Sequence, residues 1–255
     1  MLTKEELERY NRQIVLPEFG EGAQEKLKLS SALIVGLGGL GAISSLYLVA
    51  SGIGRIGLID NDIVSISNLQ RQILYREDEV GMKKTELAKE TLGKLNSNVE
   101  ILAYDCFLRE DNAIDIIKDY DIIIDATDNF KTRYLINDVC VGLGKPFVYG
   151  SIQSYSGQVS VFNLKENSCT YRDLFPNSEK LSCKENTNKG VMGVLPSITA
   201  SIQANEAIKI ITNTGEVLNN KLLTFSIQTN EFLTLNLKPT EKAREDSIRG
   251  FNNLR

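Results

Sequence analysis

ALIVGLGGLGAISSLYLVASGIGRIGLID, residues 32–60, reads as a strand, a glycine-rich turn, a helix and a second strand. Its opening, ALIVG at 32–36, is a short apolar run ending in glycine, as expected of a strand buried on both faces of a parallel sheet. Residues 40–51 have the character of an apolar helix, and RIGLID at 55–60 that of the next strand. Between strand and helix, Gly36, Gly38, Gly39 and Gly41 let the backbone turn tightly and approach a phosphate. The helix N-terminus there supplies N–H donors and positive potential. Asp60 ends the second strand, 24 residues after Gly36, where a carboxylate can accept both ribose hydroxyls. Taken alone, this pair indicates an adenine nucleotide, and a nicotinamide enzyme would present the same features.

The alternation continues outward. The segment from Gly81 to about Asn96 has helical spacing with a charged outer face. Strand EILAY (100–104), helix DNAIDIIK (111–118), strand DIIIDA (121–126), helix NFKTRYLINDVCVGLG (129–144) and strand PFVYG (146–150) follow. Such a succession predicts an α/β fold with a Rossmann-type, doubly wound, mostly parallel sheet. Upstream, Thr3 and Glu6 match a capping box, opening a helix that carries Arg9, Asn11, Arg12 and Gln13. A charged stretch, EGAQEKLKLS (21–30), comes next. Downstream the pattern changes. GQVSVFNL (157–164) alternates as a half-exposed strand, and the polar residues 165–190 read as a long mobile loop. Residues 191–212 form a helix with an apolar face, while KLLTFSIQ (221–228) and EFLTLNL (231–237) read as an antiparallel hairpin extending the sheet edge. The expected organisation is one domain over 1–255: N-terminal helices (1–30), nucleotide-binding core (31–150), crossover loop, helix and edge hairpin (151–237), and a charged, frayed tail (238–255).

At 255 residues, with 42% hydrophobic and 24% charged residues, the chain can bury a full α/β core. Lys and Arg number 29 against 33 Asp and Glu, a net charge of -4 that gives no support to nucleic acid or an anionic membrane as partner. The N-terminus has no apolar core of the signal-peptide kind. No segment reaches the roughly 18 apolar residues of a membrane span, so a cytoplasmic protein is expected. Histidine is absent, which removes every mechanism resting on an imidazole base, nucleophile or metal ligand. Cys106, Cys140, Cys169 and Cys183 are widely spaced and read as free thiols.

The residues after Asp60 do not suit a dehydrogenase. Asp62, Asn68, Arg71 and Gln72 follow within one run, and Lys84 lies just after Gly81 at the next helix start. Hydride transfer needs no cations beside the nucleotide. A triphosphate does, because its charge must be neutralised before a carboxylate attacks the α-phosphorus. Arg71 and Lys84 are candidates for that role, Asn68 for a neutral contact, and Asp62 and Gln72 for further nucleotide contacts. Asp128 follows strand 121–126 and faces the same crevice. Magnesium prefers carboxylate and phosphate oxygens, so Asp128 is the natural Mg2+ ligand. It can equally cap the helix that follows, or do both.

Together these residues resemble the bacterial ThiF/MoeB/HesA adenylyltransferases of the ubiquitin-activating (E1-like) superfamily. The likeness covers nearly the whole chain: RYNRQI (9–14), GLGGLG (36–41), LIDNDIVSISNLQRQ (58–72), GMKK (81–84), DATDNF (125–130) and SIQANEAIK (201–209). It implies ATP and Mg2+ binding by Asp60, Asn68, Arg71, Lys84 and Asp128. It also implies a homodimer in which Arg12 reaches the partner's ATP phosphates. The implied reaction adenylates the C-terminal glycine of a ubiquitin-like sulfur carrier ending in Gly-Gly, for thiamin or molybdopterin synthesis. The alternative is adenylation of a small-molecule or peptide carboxylate. Two departures stand out. Such enzymes commonly hold a zinc ion with two CxxC pairs, and here only Cys169 lies near one pair, at 169–173, and no cysteine near the other, at 242–250, so zinc is not expected. Cys183, on a segment that is longer than usual, can take the acyl group as a thioester or acyl-disulfide, or stay an unreactive thiol.

Overall fold

The computed structural model describes residues 1–176 and 190–255. An eight-stranded sheet runs through it in the order β3-β2-β1-β4-β5-β6-β7-β8. The strands are β1 Ser31–Val35, β2 Arg55–Asp60, β3 Glu100–Asp105, β4 Ile122–Asp125, β5 Phe147–Gln153, β6 Ser156–Phe162, β7 Lys221–Ser226 and β8 Glu231–Asn236. The first five in space are parallel and the last three antiparallel. This is the doubly wound sheet with an antiparallel edge that the sequence pattern predicts.

The apolar runs are continuous because both sheet faces are covered, with side chains alternating between them. Ala32 and Ile34 of β1, Ile56 and Leu58 of β2, and Ile122 and Ile124 of β4 point to one face. There they meet α4 (Gly39–Ala50), α5 (Lys84–Leu95) and the long helix α9 (Val194–Thr212). Leu33, Val35 and Ile123 point to the other face, against α6 (Ala113–Ile117), α7 (Phe130–Leu143), α8 (Tyr171–Leu174) and α10 (Glu241–Asn252). A one-residue slip in any of these strands would exchange the two sets and unpack both layers.

The N-terminal capping box is present: Thr3 Oγ1 accepts from Glu6 N at 3.2 Å and Thr3 N donates to Glu6 Oε2 at 2.7 Å. The expected single helix is broken at Tyr10 into α1 (Lys4–Arg9) and α2 (Asn11–Ile14). The charged stretch after it folds as α3 (Gly20–Leu29), which buries Ala23, Gln24 and Leu27.

Two expectations need correction. The segment 165–190 is not one long loop. Cys169, Thr170 and Tyr171 are buried, and Asn163 N donates to Cys169 O at 2.9 Å. Nor is the C-terminus frayed. Helix α10 starts at Thr240, whose side chain accepts from Ala243 N, and it buries Ala243, Ser247 and Phe251, four residues apart. The Phe251 ring, 8% exposed, lies so close to Gly142 of α7 that any Cβ there would overlap it. Replacing Phe251 by Ala should therefore cost about 3 kcal/mol in chemical denaturation. A frayed tail would give no change.

Candidate functional site

The site is assembled at the carboxyl ends of the parallel strands. Gly36 ends β1 with φ +92, a conformation that β-branched or bulky residues avoid, and a Cβ there would lie 2.9 Å from the Ala126 carbonyl oxygen. A Cβ at Gly41 would overlap the Gly36 carbonyl oxygen, so helix α4 can lie this close to β1 only with glycine there. Gly39 packs on Pro196 of α9, where a Cβ would stand 2.8 Å from the proline ring. No side chain caps the N-terminus of α4 at Gly38. Its first N–H groups therefore face the crevice with the positive end of the helix dipole.

Asp60, at the end of β2, is bound into this turn. Its Oδ2 accepts from Leu37 N at 2.6 Å and its Oδ1 from Asp62 N at 2.7 Å. A carboxylate has about four lone-pair sites, so each oxygen keeps one for a ligand hydroxyl. The link from 61 to 83 folds back on itself. Val64 N donates to Met82 O and Gly81 N to Val64 O, both at 2.9 Å, which returns the chain to Asp62 at Lys84. Lys84 Nζ then pairs with Asp62 Oδ2 at 2.9 Å. The lysine side chain is 4% exposed and the aspartate 58%, so the cation is held by the wall and the anion faces solvent. Asn68 sits in a short 3-10 turn, with its Oδ1 accepting from Ser65 N at 3.2 Å. Arg71 is half-buried, its Nη1 donating to Ser67 O at 3.0 Å. Its Cγ lies 3.6 Å from a Cβ built at Gly39, and Gln72 Nε2 lies 3.6 Å from one built at Gly38. The Gln72 amide oxygen is buried without a hydrogen-bond partner among the described residues.

Asp128 follows β4, next to β1 in the sheet, and is exposed. Its carboxylate makes no hydrogen bond or ion pair among the described residues. The N-cap of α7 is Asn129, whose Oδ1 accepts from Thr132 N at 2.9 Å. The capping role considered for Asp128 thus belongs to its neighbour. An unengaged carboxylate beside a helix N-terminus and a glycine turn has the chemistry a magnesium–phosphate complex requires. No group of three or more acidic or thiol side chains that could by itself hold a metal occurs among the described residues. Among the described residues, Cys169 and Asp173 do not make a zinc-ligand pair. Cys169 is buried, burial pushing its thiol up to about 12 with Asp173 adding to the effect. Asp173 is already saturated by Thr170 and Thr240.

Arg12 lies elsewhere. The next residue, Gln13, donates from Nε2 to Ser51 O at 2.8 Å, and Ser51 caps the far end of the 12-residue α4. That helix is about 18 Å long, beyond the reach of an arginine side chain to its own glycine turn. Cys183 lies outside the described residues. Two groups escaped the sequence reading: buried Asp125 and buried Arg133, beneath Asp128. For Asp125 the sequence carries a signal, a charge at the end of an apolar strand; for Arg133, one arginine within a helix, it carries none.

A glycine turn at a helix N-terminus, a carboxylate at the end of the adjoining strand and a paired lysine thus meet at the carboxyl edge of a doubly wound α/β sheet. The ThiF family model matches residues 10–246, and the chain belongs to the ThiF family. It is 43% identical over 244 residues to a protein of Thermus thermophilus named sulfur carrier protein adenylyltransferase, covering 92% of this chain and 89% of that one. A protein of Porphyra purpurea named probable molybdopterin-synthase adenylyltransferase is 46% identical over 230 residues, covering 89% of this chain and 60% of its own length. One from Aedes aegypti named adenylyltransferase and sulfurtransferase MOCS3 is 46% identical over 239 residues, 93% and 54%. The chain thus spans little more than half the length of the last two. Among solved structures, Escherichia coli MccB with ATP matches at a TM-score of 0.81 and 26% identity, covering 91% of this chain and 72% of that chain. PaaA matches at 0.79 and 27%, covering 94% and 76%. MccB is named a Microcin C7 biosynthetic enzyme.

The close packing gives a direct test. Gly41→Ala should destabilise the protein by several kcal/mol and abolish nucleotide-induced stabilisation, because strand and helix must part. Gly93→Ala, in α5 with open space around it, should raise stability by about 0.5–1 kcal/mol. Thermal melts with and without ATP read both.

Proposed function

We propose that the chain is an ATP- and Mg2+-dependent adenylyltransferase that activates the C-terminal carboxylate of a ubiquitin-like sulfur carrier. The observation that carries this reading is the convergence, at one carboxyl edge, of the glycine turn, Asp60, the Lys84–Asp62 pair, Arg71 and the unengaged Asp128. Identities of 43–46% to proteins named for that activity support it.

In this reading the glycine turn and the N-terminus of α4 receive the phosphates, while Asp60 takes the ribose hydroxyls. Asn68 and Gln72 line the nucleotide, Gln72 with its unpaired amide oxygen. Asp128 would hold the magnesium ion, which when bound neutralises phosphate charge. A carboxylate oxygen of the carrier attacks the α-phosphorus, the bond to the β-phosphate oxygen breaks, and pyrophosphate leaves with the electron pair. Lys84 and Arg71 stabilise the charge that develops on the phosphoryl oxygens. Asp62 holds Lys84 in place until the substrate arrives. Arg12, out of reach of its own site, acts on the ATP of a second copy in a homodimer. Cys106, Cys140 and Cys169 all have thiols held above the usual range by burial, so a covalent thiol step falls to Cys183. There the thiolate would attack the acyl carbon of the adenylate and expel AMP.

A second reading, adenylation of a small or peptide carboxylate, has the support of the fold shared with a microcin biosynthetic enzyme. At 25% identity that support is weaker than the likeness to the carrier enzymes.

ATP–pyrophosphate exchange tests both readings. With a Gly-Gly carrier present, Asp128→Ala should remain folded and lose exchange by two orders of magnitude or more, since removal of a metal's charge term is worth several kcal/mol. Exchange driven only by a free metabolite would favour the second reading, and exchange within a few-fold of wild type would remove Asp128 from the site. Mixing Arg12→Ala with Asp128→Ala subunits should restore part of the activity, because one of the two hybrid sites is intact. If subunits exchange and no activity returns, Arg12 does not act in trans.

A further inference from the structure

Directly beneath Asp128 lies a buried ion pair that the reaction scheme above leaves unused. Asp125, the last residue of β4, is fully buried, and Arg133, in the first turns of α7, nearly so. Arg133 Nε stands 3.8 Å from Asp125 Oδ2. Burying two charges is costly, and an apolar pair of similar volume usually stabilises a core as well or better. Stability alone therefore gives a poor account of this pair, and its hydrogen bonds point to another. Asp125 Oδ1 accepts from Thr127 N at 3.0 Å and from Thr127 Oγ1 at 2.7 Å. Arg133 Nη2 donates to Thr127 O at 2.6 Å and to Gly150 O, on β5, at 3.4 Å. Every polar group of Thr127 is thus held by one member of the pair or the other. Gln203 of α9 completes the clamp from the opposite face of the sheet, donating to Asp125 O at 2.8 Å and to Val148 O at 3.2 Å. Thr127 lies between two residues of the site. Before it, the Ala126 carbonyl oxygen packs against the glycine turn at Gly36; after it comes Asp128.

We propose that Arg133 is a positioning residue. Through Asp125 and Thr127 it fixes the β4–α7 link, so that Asp128 stands in one register toward a metal–triphosphate. The proposal deepens the adenylation reading and rests on it for the role of Asp128. Backbone placement is the quantity at stake. A misplacement on the order of 1 Å at a reacting centre can lower a rate about a hundred-fold without any ligand being removed.

The test uses Thr127→Val, Thr127→Ser, Arg133→Lys and Asp128→Ala in the full chain, with two readouts. One is the Mg2+ dependence of ATP–pyrophosphate exchange. The other, independent of activity, is the rise in melting temperature on adding ATP with Mg2+, compared with ATP and EDTA. Thr127→Val, which loses only the Oγ1 bond, should lower kcat roughly ten- to a hundred-fold. It should also shift the half-saturating Mg2+ upward several-fold and shrink the Mg2+-dependent melting shift. The effect of ATP in EDTA should stay unchanged. Thr127→Ser should recover most of each. Combined with Asp128→Ala, Thr127→Val should add nothing, because the group it positions is gone. Arg133→Lys, which cannot reach both carbonyls and the carboxylate at once, should behave as Thr127→Val does. If Arg133→Lys does not fold, the Thr127 pair decides alone. Wild-type Mg2+ dependence in folded Thr127→Val, or an effect that adds fully to Asp128→Ala, would overturn the proposal. A wild-type protein that shows the Mg2+-dependent melting shift but no exchange with any carboxylate would sink the adenylation reading instead. The melting arm would then still decide the positioning role.

Discussion

The carbonyl of Gly36 occupies the space a Cβ at Gly41 would need, and the carboxyl edge of the sheet is built outward from that close approach. It brings α4 down onto β1 with its N-terminal N–H groups facing out. It also leaves Leu37 strung between two anchors, its N–H on Asp60 at 2.6 Å and its carbonyl accepting from Tyr75 Oη at 2.9 Å. Each anchor comes from a different stretch of chain, so the turn is fixed by tertiary contacts and not by its own sequence alone. The Ala126 carbonyl closes the third side. A larger residue at either glycine would move all of these groups together, which is why glycine spacing here carries more structural information than any of the charged residues.

The charged residues follow from where the backbone ends. Parallel strands leave their last carbonyls and side chains at one edge; Asp60 and Asp125 arrive there as the last residues of β2 and β4, and Asp128 in the link that follows β4. Their environments then separate them. Asp60 is held by backbone N–H groups with a lone pair left on each oxygen, Asp125 is buried against Arg133, and Asp128 is exposed and without a partner among the described residues. Burial pushes the Asp125 carboxyl up while Arg133 and Thr127 pull it down. Three carboxylates at one edge thus serve three purposes, and their neighbours assign them.

This also marks what the sequence could reveal. Strands β1, β2 and β4 were legible because a strand covered on both faces has an apolar centre, as ALIVG and the three isoleucines at 122–124 show. The candidate site residues stood out because several of them flank such strands. Arg133 was not, since within FKTRYLIND one arginine looks like any solvated helix residue until its neighbours are known. Asn129 and Asp128 are both good caps, and only side-chain geometry distinguishes them. Helix α10 was missed for a different reason. Its buried face is Ala243, Ser247 and Phe251, two small residues and one aromatic among charges, so its apolar signal is faint although its spacing of four is regular.

That faint helix nonetheless acts on the site. Segments 168–175 and 240–252 are joined by Asp173, which accepts from Thr170 N and Oγ1 on one side and from Thr240 N and Oγ1 on the other. One carboxylate oxygen thereby caps α8 through Thr170, and the other ties α8 to Thr240, the N-cap of α10, with two hydrogen bonds. Both helices then grip α7. Asn137 Oδ1 accepts from Tyr171 N at 2.8 Å and its Nδ2 donates to Ser247 Oγ at 2.9 Å. Arg172 adds a two-pronged pair with Asp138, its Nε to Oδ1 at 2.9 Å and its Nη2 to Oδ2 at 2.6 Å. Asn137 is one helical turn beyond Arg133 on the same face of α7. The axial position of that helix sets how far Arg133 projects beneath Asp128. The C-terminal helix and the Tyr171 segment therefore bear on the Asp128 end of the sheet through α7.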